Sequence, residues 1–237
     1  MLKIETHTHI KGGSPCGLCS PQELISNYKR AGYDCLVSTG HYSKEIVENY
    51  YSAKSDKEGV DKFLALYDAV KLEGLKNGLK VFLGIEVCLE KAESEYIILG
   101  FNRKFLYETP KLYDLTQKEL YDLCQKNDYF MYQTHPFRKG LLVGDPKYMH
   151  GAESFNGYYH HLNNNQDAKK FCEDNNLIMM AGTDFHHLNQ PITSAMFISE
   201  DVQTEKQLSD YFKSGKSKRE ENDKLYKRAY AETRGVK

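Results

Sequence analysis

Short segments with strand character alternate with helical segments along most of this 237-residue chain. The strand-like segments are apolar, rich in β-branched and aromatic residues, and separated by turn-forming residues. In chain order they are LKIETHTH, CLVST, LKVFLGIEV, EYIILGF, YFMYQTH, AESFNG, LIMMAGTDF and SAMFIS. Repeated strand, helix, strand order predicts an α/β fold with a mostly parallel sheet, either open or closed into a barrel.

Several of the connecting segments begin with helix N-terminal signals. The tetrapeptide SPQE at residues 20–23 combines an N-cap, a first-turn proline and a capping-box glutamate, and it predicts a helix over residues 21–31. Thr116 and Thr204 begin similar capping boxes. Residues 60–77 carry apolar side chains at helical spacing, which predicts a longer amphipathic helix.

Composition and charge narrow the class of protein. Hydrophobic residues make up 40% of the chain, enough for one domain with a substantial core. The formal net charge of -1 and the pI of about 6.8 do not fit the basic surface of a dedicated nucleic-acid-binding protein. No long apolar run predicts a membrane span, and His7 and His9 stand where a signal peptide needs apolar residues. The sequence therefore predicts a cytoplasmic protein that does not bind membranes.

Six cysteines are expected to be reduced thiols in that compartment. Four of them lie in apolar or mixed segments, where cysteine usually acts as a small core residue. Cys16 and Cys19 form a CxxC in a loop rich in glycine and proline. A structural zinc site would need a second pair of ligands, and a thioredoxin-like redox motif would need a helix start. Both roles are therefore disfavoured for this pair.

Histidines and carboxylates recur at the ends of the strand-like segments, where parallel α/β folds gather functional residues. His7 and His9 end the first segment, and residues at i and i+2 of a strand point to the same face, so the pair can bind one ion. Later segments end similarly, with His41, Glu86, His135, Asp184 and His186. Five of the nine histidines in the chain follow this pattern, which predicts a metal centre.

Imidazole and carboxylate donors indicate both the kind of metal and the reaction. Such ligands suit divalent zinc, manganese or iron. The donors outnumber the four ligands of one tetrahedral ion, so we expect at least two ions, with Glu86 as the natural bridge. Closely spaced ions generate hydroxide at neutral pH and stabilise a phosphoryl group during in-line displacement. Phosphoester hydrolysis is therefore the first reaction class that the donor set indicates.

The order of these motifs resembles that of the PHP family, named for polymerase and histidinol phosphatase domains. The motifs are HTH, GH, GIE, THPFR, AESFNG and GTDFH, and they extend from His7 to about Ser199. The resemblance implies a distorted TIM-like (β/α)7 barrel over residues 1–215, followed by a charged C-terminal helix or tail of the same domain over residues 216–237. It also implies two or three divalent ions at the C-terminal ends of the strands, with these ligands: His7, His9, His41, Glu86, His135, Asp184 and His186.

The same resemblance implies a hydrolase that cleaves phosphomonoesters with metal-activated hydroxide. Asp184, His186 and Arg138 are the candidate catalytic residues. Phosphate recognition needs cations and hydrogen-bond donors near the metals, for which the candidates are Arg138, Lys11 and His161. The expected substrate is a small phosphorylated molecule such as histidinol phosphate or a nucleotide, and nucleic acid is expected only as a short substrate. The oligomeric state does not follow from the sequence.

The chain departs from the family pattern in three places. Gly40 stands where the family commonly has an aspartate. The loop of residues 14–17 contains Cys16 where many members have a ligand in an SDG-like loop. No clear histidine occurs between Glu86 and His135, where some trinuclear members supply one. Cys16 is therefore a candidate ligand of a third ion, and the alternative is that the third ion is absent.

Two other functions remain open at this stage. An amidohydrolase-like metal hydrolase also begins with an HxH motif and ends with an aspartate, but its usual bridging residue is a carboxylated lysine rather than a glutamate. A catalytically degenerate PHP scaffold is the second alternative, because Gly40 replaces a carboxylate that would orient His41. Metal content distinguishes the scaffold from the enzyme, since a scaffold tolerates the loss of metal.

Overall fold

The computed structural model describes residues 1–235. The strands are β1 (Leu2–Glu5), β2 (Cys35–Ser38), β3 (His41–Tyr42), β4 (Lys80–Leu89), β5 (Ser94–Leu99), β6 (Phe130–Gln133), β7 (Gly151–Asn156), β8 (Ile178–Gly182), β9 (Ser194–Ile198) and β10 (Lys218–Glu221). The helices are α1 (Pro21–Arg30), α2 (Asp56–Asn77), α3 (Arg103–Glu108), α4 (Gln117–Lys126), α5 (Asn165–Asp174), α6 (Glu205–Lys213) and α7 (Asp223–Thr233). Of the helices in this part of the chain, none has the length and apolar character needed to cross a membrane.

Seven strands form a nearly closed barrel in the order β1, β2, β4, β5, β6, β7, β8. Beyond the ends of β1 and β8, Thr8 pairs with Phe185, which joins the first and last strands of the barrel. The His9 N–H donates to the Phe185 carbonyl at 2.9 Å, and the Phe185 N–H donates to the His7 carbonyl at 3.1 Å. At the other end of β1, β9 pairs with it antiparallel, and β10 pairs with β9. The predicted α/β fold with a distorted TIM-like barrel is confirmed.

Local sequence signals account for most of the elements. Each predicted strand segment contains an observed strand. The capping boxes predicted at Ser20, Thr116 and Thr204 all form, with the N-cap hydroxyl and the capping side chain bonded reciprocally. A cap of this kind contributes about 1 kcal/mol to helix stability. The connecting helices therefore begin where their own sequences specify.

One part of the sheet differs from the mostly parallel prediction. The strand β5 runs antiparallel to both β4 and β6. Only residues 90–93 connect β4 to β5, and so short a connection permits an antiparallel return but not a parallel crossover. The hairpin places Glu95 opposite Cys88, close to the end of the barrel where the candidate ligands lie.

The charged C-terminal segment contains two ordered elements in its described part, residues 216–235. The strand β10 extends the sheet beyond β9, and α7 buries Tyr226. The Tyr226 hydroxyl donates to the His161 carbonyl at 2.9 Å and accepts from the Asn163 N–H at 3.1 Å. This segment therefore supports the loop that follows β7. Residues 236–237 of the predicted tail lie outside the described residues.

Two apolar clusters hold the barrel together. The first lies between the strands and the helices, and it includes Leu24 of α1 and Phe63 of α2. The second includes Val37, Phe82 and Phe130. Because alternate residues of a strand share a face, Phe82 lies on the same face of β4 as Glu86. Apolar side chains therefore pack on the same face of β4 as the buried carboxylate of Glu86.

Candidate metal centre

The seven predicted ligands converge in one cluster at one end of the barrel. Six are buried and His41 is partly exposed. The pairs at residues 7 and 9 and at residues 184 and 186 follow β1 and β8, and His135 follows β6. Two placements correct the prediction that all seven follow strands. His41 begins the two-residue strand β3, and Glu86 lies inside β4, because β3 pairs with β4 at Glu86 and β4 continues to Leu89. We call the seven residues the donor cluster.

Glu86 is at the centre of the donor cluster and is completely buried. Its Oε1 atom lies 3.1 Å from His7 Nε2 and 3.4 Å from His135 Nε2. Its Oε2 atom lies 3.5 Å from His9 Nε2 and 2.7 Å from His41 Nδ1. The two oxygens of one carboxylate thus face two different pairs of imidazoles, which is the arrangement needed to bridge two ions.

Asp184 lies beside the first histidine pair, because the segment after β8 pairs with the segment after β1. Its Oδ1 atom lies 3.4 Å from His7 Nε2 and 3.2 Å from His9 Nε2. Its Oδ2 atom accepts a hydrogen bond from Arg138 Nη2 at 2.6 Å. One oxygen of Asp184 therefore faces the imidazoles, and the other is bound by a buried guanidinium.

These separations match those between ligands of a common metal ion. Two donors bound tetrahedrally to zinc at about 2.0–2.1 Å lie about 3.3–3.4 Å apart. The distances from His7 and His9 to the nearest oxygens of Glu86 and Asp184 are 3.1, 3.5, 3.4 and 3.2 Å. His7 Nε2, both ring nitrogens of His9 and Glu86 Oε2 are buried without a hydrogen-bond partner. Leaving such atoms unpaired costs about 1–3 kcal/mol each, so the residues fit a bound cation.

Hydrogen bonds fix the ring nitrogen that two of the histidines present. His7 Nδ1 donates to Glu153 Oε1 at 2.8 Å, which leaves Nε2 facing Glu86 and Asp184. His186 Nδ1 donates to the Asp184 backbone carbonyl at 2.8 Å, so its Nε2 also keeps a free lone pair. Oriented imidazoles of this kind are typical of metal ligands. For His186, this tautomer favours a ligand role over a proton-donor role.

We expect Glu153→Gln to weaken metal binding by about 10–100-fold, the usual effect of removing a carboxylate that orients a ligand. Glu153 accepts from His7 Nδ1 and from the His135 N–H, and a glutamine cannot accept both bonds with the same geometry and charge. The measurement is the zinc dissociation constant by competition with a chromophoric chelator. The matched control is Ser154→Ala, one residue along β7, where the Ser154 hydroxyl donates to the Met180 carbonyl. Equal affinity in Glu153→Gln and the unmodified protein would contradict this role.

Opposite charges within the donor cluster shift the pKa values of its members. Burial alone would lower the pKa of His7, but the carboxylates of Asp184, Glu86 and Glu153 outweigh burial and raise that pKa well above its ordinary value. Burial alone would raise the pKa of Glu86, but His7 and His41 hold it well below its usual range. Buried carboxylates that stay ionised provide the negative potential that divalent cations require.

Backbone geometry is unusual at two residues of the donor cluster. His135 has a φ of 30° and Asp184 a φ of 52°, both in the left-handed region that non-glycine residues avoid. Such residues occur preferentially at functional sites, where the surrounding structure holds them in place. Gly182 is required nearby, because a Cβ at that position would lie 2.6 Å from His7 Cβ and 2.5 Å from Glu153 Oε1.

Glu95 and Cys88 were not among the predicted ligands, and Cys16 was predicted only as a candidate ligand of a third ion. Glu95 Oε2 lies 3.3 Å from His135 Nε2, and Glu95, Glu86 and His135 form one group of possible metal donors. Cys88 Sγ donates to Glu95 Oε1 at 2.7 Å. Cys16 Sγ lies 3.5 Å from His41 Nε2, and although burial alone would raise the pKa of Cys16, contacts with His186 and His41 lower it to about 5. Glu95 could have been identified from the register of the β4–β5 hairpin, because that register places Glu95 opposite Cys88, two residues from Glu86.

The predicted substrate-binding residues lie in three different settings. The Arg138 side chain is only 12% exposed, and besides Asp184 it binds Asn156 and Asn163, each at 2.9 Å. It is therefore part of the site rather than of the outer surface. The exposed His161 lies at the mouth, with its ring 5.4 Å from the ring of Tyr158.

Lys11 is exposed and, within residues 1–235, makes no side-chain hydrogen bond or ion pair with the donor cluster. Its ammonium group lies close enough to Glu23 to contribute, after the hydrogen bonds from Ser20, to the lowered pKa of Glu23. The structure therefore does not bring Lys11 together with the donor cluster. Its predicted contact with phosphate stays a prediction.

Metal binding is expected to raise the melting temperature by about 5–10 °C. An ion present at about 100 times its Kd stabilises the folded state by about 2.7 kcal/mol, and a domain of this size gains about 2–4 °C per kcal/mol. Differential scanning fluorimetry of chelator-treated protein with and without added zinc measures the shift. Identical melting temperatures would favour the degenerate scaffold, which tolerates the loss of metal.

Solved structures share this fold. A two-domain protein from Bacteroides vulgatus that contains a "predicted PHP-like metal-dependent phosphoesterase" matches with a TM-score of 0.68 at 18% identity, over 98% of this chain and 69% of that protein. PsfC from Pseudomonas syringae matches with a TM-score of 0.67 at 14% identity, over 100% and 99% of the two chains. The lesion-specific endonuclease PfuEndoQ from Pyrococcus furiosus matches with a TM-score of 0.60 at 12% identity, over 92% of this chain and 57% of the endonuclease.

The predicted resemblance is confirmed at the level of the fold. Two of these structures differ in what they are named for, since one contains a phosphoesterase and another is an endonuclease. No protein-family model and no curated protein matches this chain. The chain therefore has the barrel fold of PHP-like proteins, and its chemistry has to be argued from its own residues.

Proposed function

We propose that this protein is a metal-dependent phosphoesterase that hydrolyses a small phosphomonoester. The observation that carries the proposal is the position of Glu86, whose two oxygens face separate imidazole pairs at 2.7–3.5 Å. His7 and His9 with Glu86 form one group of possible metal donors, and Glu86 and Glu95 with His135 form an adjacent group. Bound there, divalent zinc, manganese or iron ions supply Lewis acidity and activate water at neutral pH.

Charge balance explains why a phosphate group needs those ions. Four carboxylates, Glu86, Glu95, Glu153 and Asp184, lie around the donor cluster, and all but Glu95 are buried. Among the described residues, the permanently charged Arg138 pairs with one of these carboxylates, Asp184. A phosphate dianion would be repelled by this set without added positive charge, since like charges interact strongly at low dielectric. The arrangement therefore favours an anionic substrate only after cations have bound.

Arg138 is the residue best placed to hold the phosphoryl group. Its Nε and Nη2 atoms donate to Asn163, Asn156 and Asp184, which fixes the plane of the guanidinium. Among the described residues Nη1 has no hydrogen-bond acceptor, so its two donors are available to an equatorial phosphate oxygen. Such a fixed donor stabilises charge that develops in the transition state without reorganising.

The mouth of the site indicates where the alcohol part of the substrate lies. The Tyr158 ring lies 4.4 Å from the ring of His186, and the Arg138 guanidinium lies 5.6 Å from the Tyr158 ring. His161 lies next to Tyr158 on the same loop. We assign these two side chains to contacts with the leaving group, and Asp184 and His186 to metal binding beneath it.

The amidohydrolase-like alternative is less well supported. Its bridging residue would be a carboxylated lysine, and the buried polar residues of the described chain include no lysine. The bridging position is taken by Glu86, which needs no modification to supply two oxygens. The scaffold alternative is opposed by the retention of all seven imidazole and carboxylate donors of the donor cluster.

The test is phosphatase turnover by protein that has been stripped with a chelator and reconstituted with zinc, manganese or iron(II). We expect hydrolysis of p-nitrophenyl phosphate only after reconstitution, and faster than hydrolysis of bis(p-nitrophenyl) phosphate. The control is Asp184→Asn purified in the same way, which identifies contaminating phosphatases. Absence of turnover of both esters with every ion would overturn the proposal, and a preference for the diester would overturn the assignment to monoesters.

A further inference from the structure

We propose that the Cys16 thiolate is a metal ligand, together with His41 and His186, so that one ion position of the centre has a sulfur donor. The proposal rests on the metal centre of the proposed function and adds a ligand of a different chemical class to it. On binding, the Cys16 S–H proton is released to solvent, and a sulfur lone pair forms the metal–sulfur bond. No oxidation or reduction takes place in this step.

The distances are those of a shared ion. Zinc bonds of about 2.3 Å to sulfur and about 2.0–2.1 Å to nitrogen at a tetrahedral angle separate the two donors by about 3.5 Å. Cys16 Sγ lies 3.5 Å from His41 Nε2. The Ser14 hydroxyl lies 3.0 Å from the same sulfur, where it can donate to a thiolate.

His9 is a second, independent indication of an ion at this position. Both of its ring nitrogens are buried and lack a hydrogen-bond partner. One donor nitrogen each of His9, His41 and His186 lies within 4.8 Å of the others, so these residues form a group that can hold an ion. His9 packs against both other rings, with centroids 4.1 Å from His41 and 4.4 Å from His186. Three imidazoles converge here, and Cys16 lies beside them.

The loop that carries Cys16 is held in place by its backbone. Leu18 N–H donates to the His186 carbonyl at 2.8 Å, and Lys11 N–H donates to the Cys19 carbonyl at 2.8 Å. Gly17 is essential to this path, because a Cβ there would lie 2.3 Å from the Ile10 carbonyl oxygen. The position of the thiol is therefore set by hydrogen bonds to the segments after β1 and β8.

The two cysteines of the CxxC lie in different surroundings. Cys16 is exposed at the site, whereas Cys19 is 1% exposed and belongs to the apolar cluster between the strands and the helices. Both are free thiols. This separation explains why the pair need not act together, and it makes Cys19 a suitable control. Thiolate ligation favours zinc or iron over manganese and magnesium at this position.

The experiment uses cobalt(II) as the probe, because a thiolate bound to cobalt gives a charge-transfer absorption band in the near ultraviolet that nitrogen and oxygen ligands do not give. Chelator-treated protein, Cys16→Ser, Cys19→Ala and Cys88→Ala are each titrated with cobalt(II), and bound cobalt is measured by elemental analysis. We expect the band in the unmodified protein, in Cys19→Ala and in Cys88→Ala, and its complete loss in Cys16→Ser. Cys88 is included because it groups with His41 and Glu95.

Each other outcome overturns the proposal. A band that persists in Cys16→Ser shows that Cys16 is not the sulfur ligand. A band that disappears in Cys88→Ala instead assigns the sulfur ligand to Cys88. Bound cobalt without a band in the unmodified protein shows a centre with only nitrogen and oxygen ligands, which leaves the phosphoesterase proposal intact. Failure of cobalt, zinc and manganese to bind at all removes the metal centre and with it both proposals.

Alkylation gives a readout that does not depend on cobalt. Iodoacetamide forms a sulfur–carbon bond with loss of iodide and of the thiol proton, and the modified residue is identified by mass spectrometry. We expect Cys16 to react at least tenfold more slowly in zinc-loaded protein than in metal-free protein, because the bound thiolate is no longer a free nucleophile. Equal rates in the two forms would contradict the proposal.

Discussion

Glu86→Gln is expected to lose at least one bound ion per chain and to reduce phosphomonoester hydrolysis by about 10³-fold or more, which corresponds to about 4 kcal/mol of transition-state stabilisation. The physical reason is that both Glu86 oxygens face imidazoles, and an amide supplies only one weak oxygen ligand and no charge. Elemental analysis and steady-state kinetics on the same preparation measure the two effects.

Metal-free Glu86→Gln offers a check that is independent of turnover. Burial opposes protonation of His41, and Glu86 is the main group that raises the pKa of that imidazole. The substitution is therefore expected to lower the His41 pKa, as followed by NMR. The matched control is Glu90→Gln, an exposed residue just beyond the end of β4, for which metal content and activity should stay unchanged. Normal metal content in Glu86→Gln would contradict its bridging role.

Asp184→Asn is expected to reduce hydrolysis by a similar factor of about 10³ and to lower metal affinity, because the aspartate serves two partners. Its Oδ1 faces His7 and His9, and its Oδ2 pairs with Arg138 at 2.6 Å. Asparagine keeps the shape but removes the charge, so both the ion and the guanidinium lose their partner. Removing one member of a buried ion pair typically costs about 3–5 kcal/mol.

A measurement of stability separates the two effects of Asp184→Asn. We expect a lower melting temperature than that of the unmodified protein in the presence of metal. Asp174→Asn is the control, since this exposed aspartate on α5 lies outside the donor cluster and pairs with Lys170. If Asp184→Asn retained full activity and normal metal content, Asp184 would have to be removed from the ligand set.

The sequence predicts the convergence of the candidate ligands because strand ends carry most of them. In a barrel, the C-terminal ends of the parallel strands meet at one end, so His7, His135 and Asp184 come together although they are far apart in sequence. The i, i+2 spacing of the histidine pair needs only the local geometry of an extended chain. Both inferences depend on short-range rules that the sequence expresses directly.

Glu95 shows what those rules cannot provide. It lies at the start of an antiparallel strand, and its position opposite Cys88 depends on the register of the β4–β5 hairpin. Three other glutamates, Glu86, Glu90 and Glu93, occur nearby in the sequence, and nothing local distinguishes the one that reaches His135. The register of a hairpin is set by its turn and by the face that is buried. Only the folded sheet therefore shows which glutamate lies beside His135.

Arg138 and Cys16 illustrate a second limit. The sequence placed Arg138 near His135, but its contacts are with residues from other strands, Asn156, Asn163 and Asp184. Cys16 approaches His41 only because its loop bonds to the His186 carbonyl through Leu18. Loop paths of this kind depend on tertiary hydrogen bonds, and local sequence preferences do not encode them.

We propose that this barrel binds at least two ions and that hydrolysis of phosphomonoesters requires them. The most direct measurement is a metal titration of chelator-treated protein in which bound metal per chain and p-nitrophenyl phosphate turnover are measured on the same samples. We expect two or more ions per chain at saturation, with turnover rising as the sites fill. Absence of bound metal and of turnover with zinc, manganese and iron(II) would contradict it and leave the barrel as a non-catalytic scaffold.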